Sequence, residues 1–208
     1  MSTEIVIPND NEEKFIDIAL KLGTKKIYFL YEPENFSKKT QEKIESLSSN
    51  PNLEITIKTG FIVNQNNINT AIRHSKILVA KSTEKSRALI ENKKIKLIYG
   101  FEEQPRKDFM HQRASGLNHI MCEIAKKNKT IIGISYSALL KNNTYNNFLL
   151  LGRIAQNISL CKKYKVPVAI SSFSNNPFEL RAHHDVASLF RILGMDDSLI
   201  NESLRSEI

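Results

Sequence analysis

The chain has 208 residues, 30 Lys+Arg against 22 Asp+Glu, and a formal net charge of +8. With 41% hydrophobic and 25% charged residues it can bury a core, which excludes intrinsic disorder, and its length suits one domain over residues 1–208. No apolar run nears the roughly 20 residues that span a bilayer, Met1-Ser2-Thr3-Glu4 does not open a secretory signal, and two cysteines outside any C-x-x-C fit free thiols in a reducing cytoplasm.

Short apolar runs alternate with helical periodicity along the chain. The predicted strand Ile5–Ile7 precedes a helix from Asn11 to Leu22, where Phe15, Ile18, Ala19 and Leu22 share a face. A strand over Lys26–Tyr31 leads to a weaker helix from Ser37 to Leu47, and Leu53–Val63 forms the third strand. The Asn-rich segment Asn64–Asn69 reads as a polar surface loop, followed by a strand at Ile77–Ala80, a helix from Thr83 to Glu91 and a strand at Lys96–Tyr99. Between Gly116 and Lys129, Leu117, Ile120, Met121, Ile124 and Ala125 follow the helical template. The strand Thr130–Tyr136, a second polar loop at Asn142–Asn147, the helix Leu149–Tyr164 and the strand Pro167–Phe173 come next. The last long helix, Leu180–Leu193, carries Asn176 as cap, Pro177 as first residue, Glu179 as capping-box acid and Gly194 as stop. A short helix over Asp196–Glu207 completes the chain. Seven strands, mostly apolar on both faces, alternating with helices predict an α/β fold with a parallel sheet; periodicity leaves a barrel and an open doubly wound sheet both open.

The positive charge is uneven. Residues 1–104 hold 16 basic and 14 acidic side chains, whereas 106–181 hold 12 basic residues against Asp108, Glu123 and Glu179. An acid-poor stretch of this kind is the electrostatic footprint of a polyanion, nucleic acid first. No basic amphipathic terminal helix supports a membrane surface.

Arg113-Ala-Ser-Gly-Leu-Asn-His119 lies between the fifth strand and its helix. Ser115 is a candidate N-cap, Gly116 lets a ligand approach the backbone, and the free N–H groups with Arg113 beside them would form an anion site. An ordinary capped helix beside a surface arginine uses the same residues. His119 shares a side with Glu123 and Lys126 and can donate to phosphate or pair with Glu123. Lys162 and Lys163 fall in a last helical turn, where the helix dipole favours them. Cys122 and Cys161 read as packing thiols. His183-His184-Asp185 cannot converge on one ion, since helical neighbours point about 100° apart; Arg181 and Asp185, four apart, can form a surface pair. There is no phosphate-cradling Gly-rich loop, G-x-S-x-G or H-E-x-x-H.

Arg113-x-Ser-Gly-Leu-Asn-His119, Leu160-Cys-Lys-Lys-Tyr-Lys-Val-Pro167, Ile170-Ser-Ser and Glu179-Leu-Arg181 with Asp185, in this order, resemble the ribonuclease P protein component 3 family, the archaeal counterparts of the thirty-kilodalton subunit of eukaryotic ribonuclease P. The match is strongest from Asp108 to Met195. The resemblance implies a TIM-barrel-like fold of about seven parallel strands with surrounding helices, related to the polymerase-and-histidinol-phosphatase superfamily. It also implies a non-catalytic subunit of the endoribonuclease that removes 5′ leaders from precursor tRNA. The implied partners are ribonuclease P RNA, precursor tRNA, component 2 directly, and components 1 and 4 in the same particle. No cofactor is expected on this chain; the catalytic magnesium belongs to the RNA. The family's RNA- or partner-binding positions fall on Arg113, His119, Lys162 or Lys163, and Arg181, with Ser115, Gly116 and Asn118 in the same loop. The superfamily's enzymes carry an H-x-H metal pair after the first strand, whereas this chain reads Ile5-Val-Ile-Pro-Asn-Asp10 and has no histidine before His74. A stand-alone metal-dependent phosphoesterase on the same barrel is the alternative, and that departure counts against it.

Overall fold

The computed structural model describes residues 2–50, 53–105, 107–108, 110, 113–141 and 144–208. Its strands are β1 (Ser2–Val6), β2 (Thr24–Tyr31), β3 (Thr56–Val63), β4 (Leu78–Lys81), β5 (Leu97–Tyr99), β6 (Ile131–Ser135) and β7 (Val168–Ser171), all parallel and paired in sequence order. The crossovers are α1 (Glu12–Lys21), α2 (Lys38–Ser48), α3 (Ile68–Ala71), α4 (Ser86–Glu91), α5 (His119–Asn128), α6 (Ala138–Lys141) and α7 (Thr144–Tyr164). After β7 come a 3₁₀ turn (Pro177–Glu179), α8 (His183–Ile192) and α9 (Asp197–Leu204).

The sheet curls until β7 meets β1, giving the barrel that the resemblance implies. Phe173 N–H donates to Ile5 O and Ile7 N–H to Ser174 O, both at 2.9 Å. Just before them along both strands a side chain replaces the ladder: the Ser171 hydroxyl accepts from Ile5 N–H at 2.6 Å and donates to Glu4 Oε2 at 2.7 Å. Glu4 is buried and also accepts from Tyr136 OH at 2.9 Å. Burial raises its pKa, against the pull of these donors.

Two apolar layers fill the molecule. Inside the barrel Ile5, Tyr28, Leu30, Val79, Leu97 and Ala169 pack together under Tyr99 and Phe173, whose rings stack 4.4 Å apart. Gly133 leaves room for them, because a Cβ there would stand 2.8 Å from Tyr99 and 2.9 Å from Phe173. Outside, Phe15, Phe29, Phe61, Ile98, Ile154 and Phe190 lie between sheet and helices. Each large apolar side chain buried this way contributes roughly 1.5–3 kcal/mol.

All seven predicted strands are present, with shifted ends; β1 begins at Ser2 and β3 at Thr56. Ile120, read as part of the apolar stripe of α5, is 41% exposed, and Cys122 is buried in its place. The loop read at Asn64–Asn69 contains the first residues of α3. Of the loop read at Asn142–Asn147, Asn142 and Asn143 lie outside the described residues and the rest is the first turn of α7. The start signal of the last long helix belongs to a different element. Asn176 caps the 3₁₀ turn by accepting from Phe178 N–H at 3.1 Å, and α8 begins at His183 without a side-chain cap. Glu179 serves as an ion-pair acid toward Lys141 at 3.2 Å and accepts from the Ser174 hydroxyl. Gly194, at φ +99°, ends α8 as expected.

Candidate nucleic-acid interface

The described residues of the loop between β5 and α5 are held by α7. Arg153 of α7 is almost fully buried and donates from Nε to Asp108 Oδ1 at 2.9 Å. Its Nη1 donates to the carbonyls of Gln104 at 2.9 Å and Glu102 at 3.2 Å. One turn further, Gln156 takes the Arg113 N–H at 3.1 Å and donates to Arg113 O at 3.0 Å and the Ser115 hydroxyl at 2.9 Å. Asn157 donates to Ser115 O at 3.0 Å. These backbone groups have no ladder to join, so polar side chains of a neighbouring helix satisfy them. Periodicity treats Arg153, Gln156 and Asn157 as positions on an amphipathic helix, and sequence reading misses them; three polar residues within five, on a helix otherwise rich in apolar side chains, were the available signal.

Arg113 is 47% exposed, pairs through Nη1 with Asp108 Oδ2 at 3.1 Å, and lies over Gly152, where a Cβ would come within 2.9 Å of its Nε. The fork therefore leaves the loop in a defined direction. Burial pushes the Asp108 carboxyl up, but the Ala114 amide, Arg113 and Arg153 together hold it below the usual aspartate value.

Two expectations for this loop are corrected. Ser115 is not the N-cap: its hydroxyl is buried against Gln156, and Asn118 caps α5 by accepting from Met121 N–H at 2.9 Å. Gly116 does not make room for a ligand. It adopts φ +81°, and a Cβ would fall 2.3 Å from Phe101 O, so what approaches is the chain's own backbone. His119 is the first residue of α5 and exposed.

The remaining predicted residues are not brought together with Arg113. Arg181, beyond the 3₁₀ turn, donates from Nη1 to the carbonyls of Phe178 and Leu180, both at 2.8 Å, rather than pairing with Asp185. Asp185 instead meets His184 at 2.9 Å. Lys162 and Lys163 end α7 at the opposite, N-terminal end of the strands. Lys162 donates to Gly194 O at 3.0 Å and pairs with Asp196 at 3.3 Å, while Lys163 lies 5.6 Å from the Tyr164 ring centroid. About 16 Å of helix separates Gly152, beneath Arg113, from Lys163. The basic positions therefore occupy two ends of the barrel.

Phe148 and Phe178 are 69% and 71% exposed, large apolar surfaces without cover. A cleft of about 450 Å³ opens between the loop and α7, lined by Glu102, Gln104, Pro105, Asn146, Leu149 and Arg153. Burial pushes the Glu102 carboxyl up to about 7. Among the described residues, no group of three or more His, Cys, Asp or Glu side chains is placed to hold a metal ion, and no helix is long and apolar enough to cross a membrane.

The family model for "RNase P subunit p30" matches residues 8–208. Among curated proteins, ribonuclease P protein component 3 of Methanococcus vannielii is 32% identical over 84 residues, 40% of this chain and 36% of that protein. The same component of Methanococcus maripaludis is 26% identical over 162 residues, 74% of this chain and 68% of that protein. The chain thus matches about a third of the first relative's length and about two thirds of the second's. Among solved structures, a chain of a cryo-EM structure of archaeal ribonuclease P with mature tRNA superposes with a TM-score of 0.76 at 17% identity, covering 96% of this chain and 85% of that one; at that identity the likeness shows the shared barrel. With the family pattern running through almost all of the barrel described above, the chain belongs to the RNase P subunit p30 family.

Proposed function

We propose that this chain is a protein subunit of ribonuclease P, which supports the catalytic RNA in removing the 5′ leader from precursor tRNA. The observation that carries the reading is family membership over residues 8–208, together with relatives named ribonuclease P protein component 3. The charge agrees with it: an acid-poor stretch projects arginine and lysine from a stable barrel. Arg113, anchored by Asp108, presents a planar fork suited to a phosphate. Asn118, the buried Ser115 and Gly116 at positive φ fix the loop around it, and His119, Lys162, Lys163 and Arg181 add donors elsewhere. Magnesium is expected on the RNA, and this chain holds and orients RNA rather than breaking bonds. Component 2 is expected to cover exposed apolar surface such as Phe148 and Phe178, with components 1 and 4 elsewhere in a cytoplasmic particle.

The test is reconstitution of cleavage from the RNA, the other protein components and this chain. Omitting the chain should lower the rate of 5′-leader removal, and adding it back should restore the rate. Unchanged cleavage without it, or robust turnover by the isolated chain that a chelator abolishes and metal restores, would refute the reading.

A further inference from the structure

We propose that the turns preceding β5, β6 and β7 form a second RNA-binding face, which grips the phosphate backbone of a double-helical RNA segment without reading its sequence. This deepens the function proposed above by giving the same class of partner a separate face of the barrel.

The run Lys-Lys-x-Lys occurs three times: Lys93-Lys-Ile-Lys96, Lys126-Lys-Asn-Lys129 and Lys162-Lys-Tyr-Lys165. Each falls at or just past the C-terminal end of a crossover helix, α4, α5 or α7, and precedes β5, β6 or β7, which are neighbours in the barrel. The turns are tied together. Ile131 N–H donates to Lys96 O and Ile132 N–H to Pro167 O, both at 2.9 Å, and Asn128 Nδ2 donates to Ile90 O at 2.8 Å. All nine lysines are exposed.

Little acid offsets them. Among the described residues only Lys162 has a carboxylate within 4.0 Å, that of Asp196. Of the nearby acids, Glu91 pairs with Arg87 and Asp197 with Arg191, and Glu123, exposed one turn before Lys126 and Lys127 on α5, offsets part of their charge. Glu202 lines the same hollow as Lys165 without pairing with it. These lysines make up 9 of the chain's 30 basic residues.

The helix dipole explains the paired lysines in the last turns of α5 and α7. It does not explain the third lysine. Lys129 and Lys165 stand just past the helix ends at φ +57° and +55°, where glycine is the usual residue. In both places a cation occupies a position that backbone sterics reserve for glycine.

The same face favours a duplex over a single strand. Single-strand binders stack bases on exposed aromatic rings. Here Tyr164 is only half exposed with Lys163 over it, while the exposed Phe148 and Phe178 belong to the opposite end of the barrel. A fixed array of compact charges, roughly 10 Å across at the barrel wall, suits a regular row of phosphates.

The test uses the full chain and three triple variants, Lys93/94/96→Ala, Lys126/127/129→Ala and Lys162/163/165→Ala, with the matching triple Arg variants. The probe is a blunt 20-base-pair RNA duplex, titrated by fluorescence anisotropy at several salt concentrations, with oligo-U and phosphatidylserine vesicles as competitors. Each triple-Ala variant is expected to bind about tenfold more weakly and to flatten the salt slope by about 2, and the Arg variants to restore both. Unchanged circular dichroism confirms folding; if an Ala variant at Lys129 or Lys165 unfolds, Lys→Gly at that position keeps the turn and carries the test. Parent-like binding by all three Ala variants, no duplex binding by the parent, or preferential competition by oligo-U or vesicles would overturn the proposal. Reconstituted cleavage is scored separately, so parent-like duplex binding by the Ala variants with normal stimulation of cleavage removes the inference and leaves the subunit role standing.

Discussion

Arg153 reaches 45 residues back along the chain to Asp108, Nε to Oδ1 at 2.9 Å, and so ties the middle of α7 to the loop that carries Arg113. Asp108→Ala would strand a buried guanidinium, a change that typically costs about 3–5 kcal/mol. Because Arg153 keeps the Glu102 and Gln104 carbonyls, we expect about 3 kcal/mol in urea unfolding, and under about 1 kcal/mol for Arg113→Ala, whose side chain is half exposed. Equal losses from the two variants would show that the pair does not anchor the loop.

RNA binding should rank the variants the other way. Arg113→Ala is expected to cost roughly 1–2 kcal/mol of affinity or holoenzyme activity, against under about 1 for Lys162→Ala or Lys163→Ala alone. Arg113→Lys should rescue only part, since it keeps the charge and loses the fork. Lys14→Ala, in the charge-balanced half, is the control. One affinity and one salt slope for all of them would make Arg113 a solvated surface residue.

Binding of component 2 should raise the melting temperature, because a partner that binds only the folded state stabilises it by mass action. Phe178→Ser removes an exposed ring and should leave the free chain's melting temperature within about 1 °C while reducing the shift. No shift at saturating component 2, with no complex on gel filtration, would exclude this pairing.

Stability should depend on pH through buried acids of two kinds. Burial pushes Glu102 up to about 7 from 4.5, so between these values the folded chain holds a proton that the unfolded chain lacks. Stability therefore falls as pH rises through that window, on the order of 1 kcal/mol per pH unit, and levels off above it. Glu4, also raised by burial, acts in the same direction. Asp108 and Glu12 behave oppositely. Burial is outweighed by the Ala114 amide and two arginines at Asp108, and by Lys43 chiefly at Glu12, so both sit low and their contribution is lost as pH falls below about 4. Thermal unfolding of Glu102→Gln should lose most of the slope between pH 5 and 7 and exceed the parent at pH 8; a parallel profile would place the titration elsewhere.

The strands were legible because most carry a run of Ile, Val, Tyr, Leu or Phe buried on both faces; β3, with Thr56, Lys58 and Thr59 partly or fully exposed, is the exception, and its start was placed too early. α3 and α6 were not, since four residues give too short a window for a period of 3.6. Asn176-Pro177-x-Glu179 is a sound start signal, yet a 3₁₀ turn uses the same capping chemistry as a helix. Ser115 and Asn118 are both good caps three residues apart, and only the contact with Gln156 decides between them. Arg113 was readable as a projecting cation, but its anchors lie on α7, beyond any local pattern. The three lysine runs were visible in the string and unremarkable one by one; only the barrel brings their turns side by side.

The hydrogen bonds that shape the loop before α5 span 41 to 51 residues of sequence, from Ser115 to Gln156 and from Glu102 to Arg153. Contacts that distant carry a loop-closure cost that must be met before they give anything back. Glu102, Gln104, Asp108, Arg113 and Ser115 therefore cannot take their final positions as they leave the ribosome, although they stand mid-chain; they set only after α7 has docked. The same dependence should make the segment an early one to open under mild denaturant, with amide exchange at Arg113 and Ala114 faster than in β5 or β6. An RNA that grips Arg113 would then hold shut one of the last joints to form.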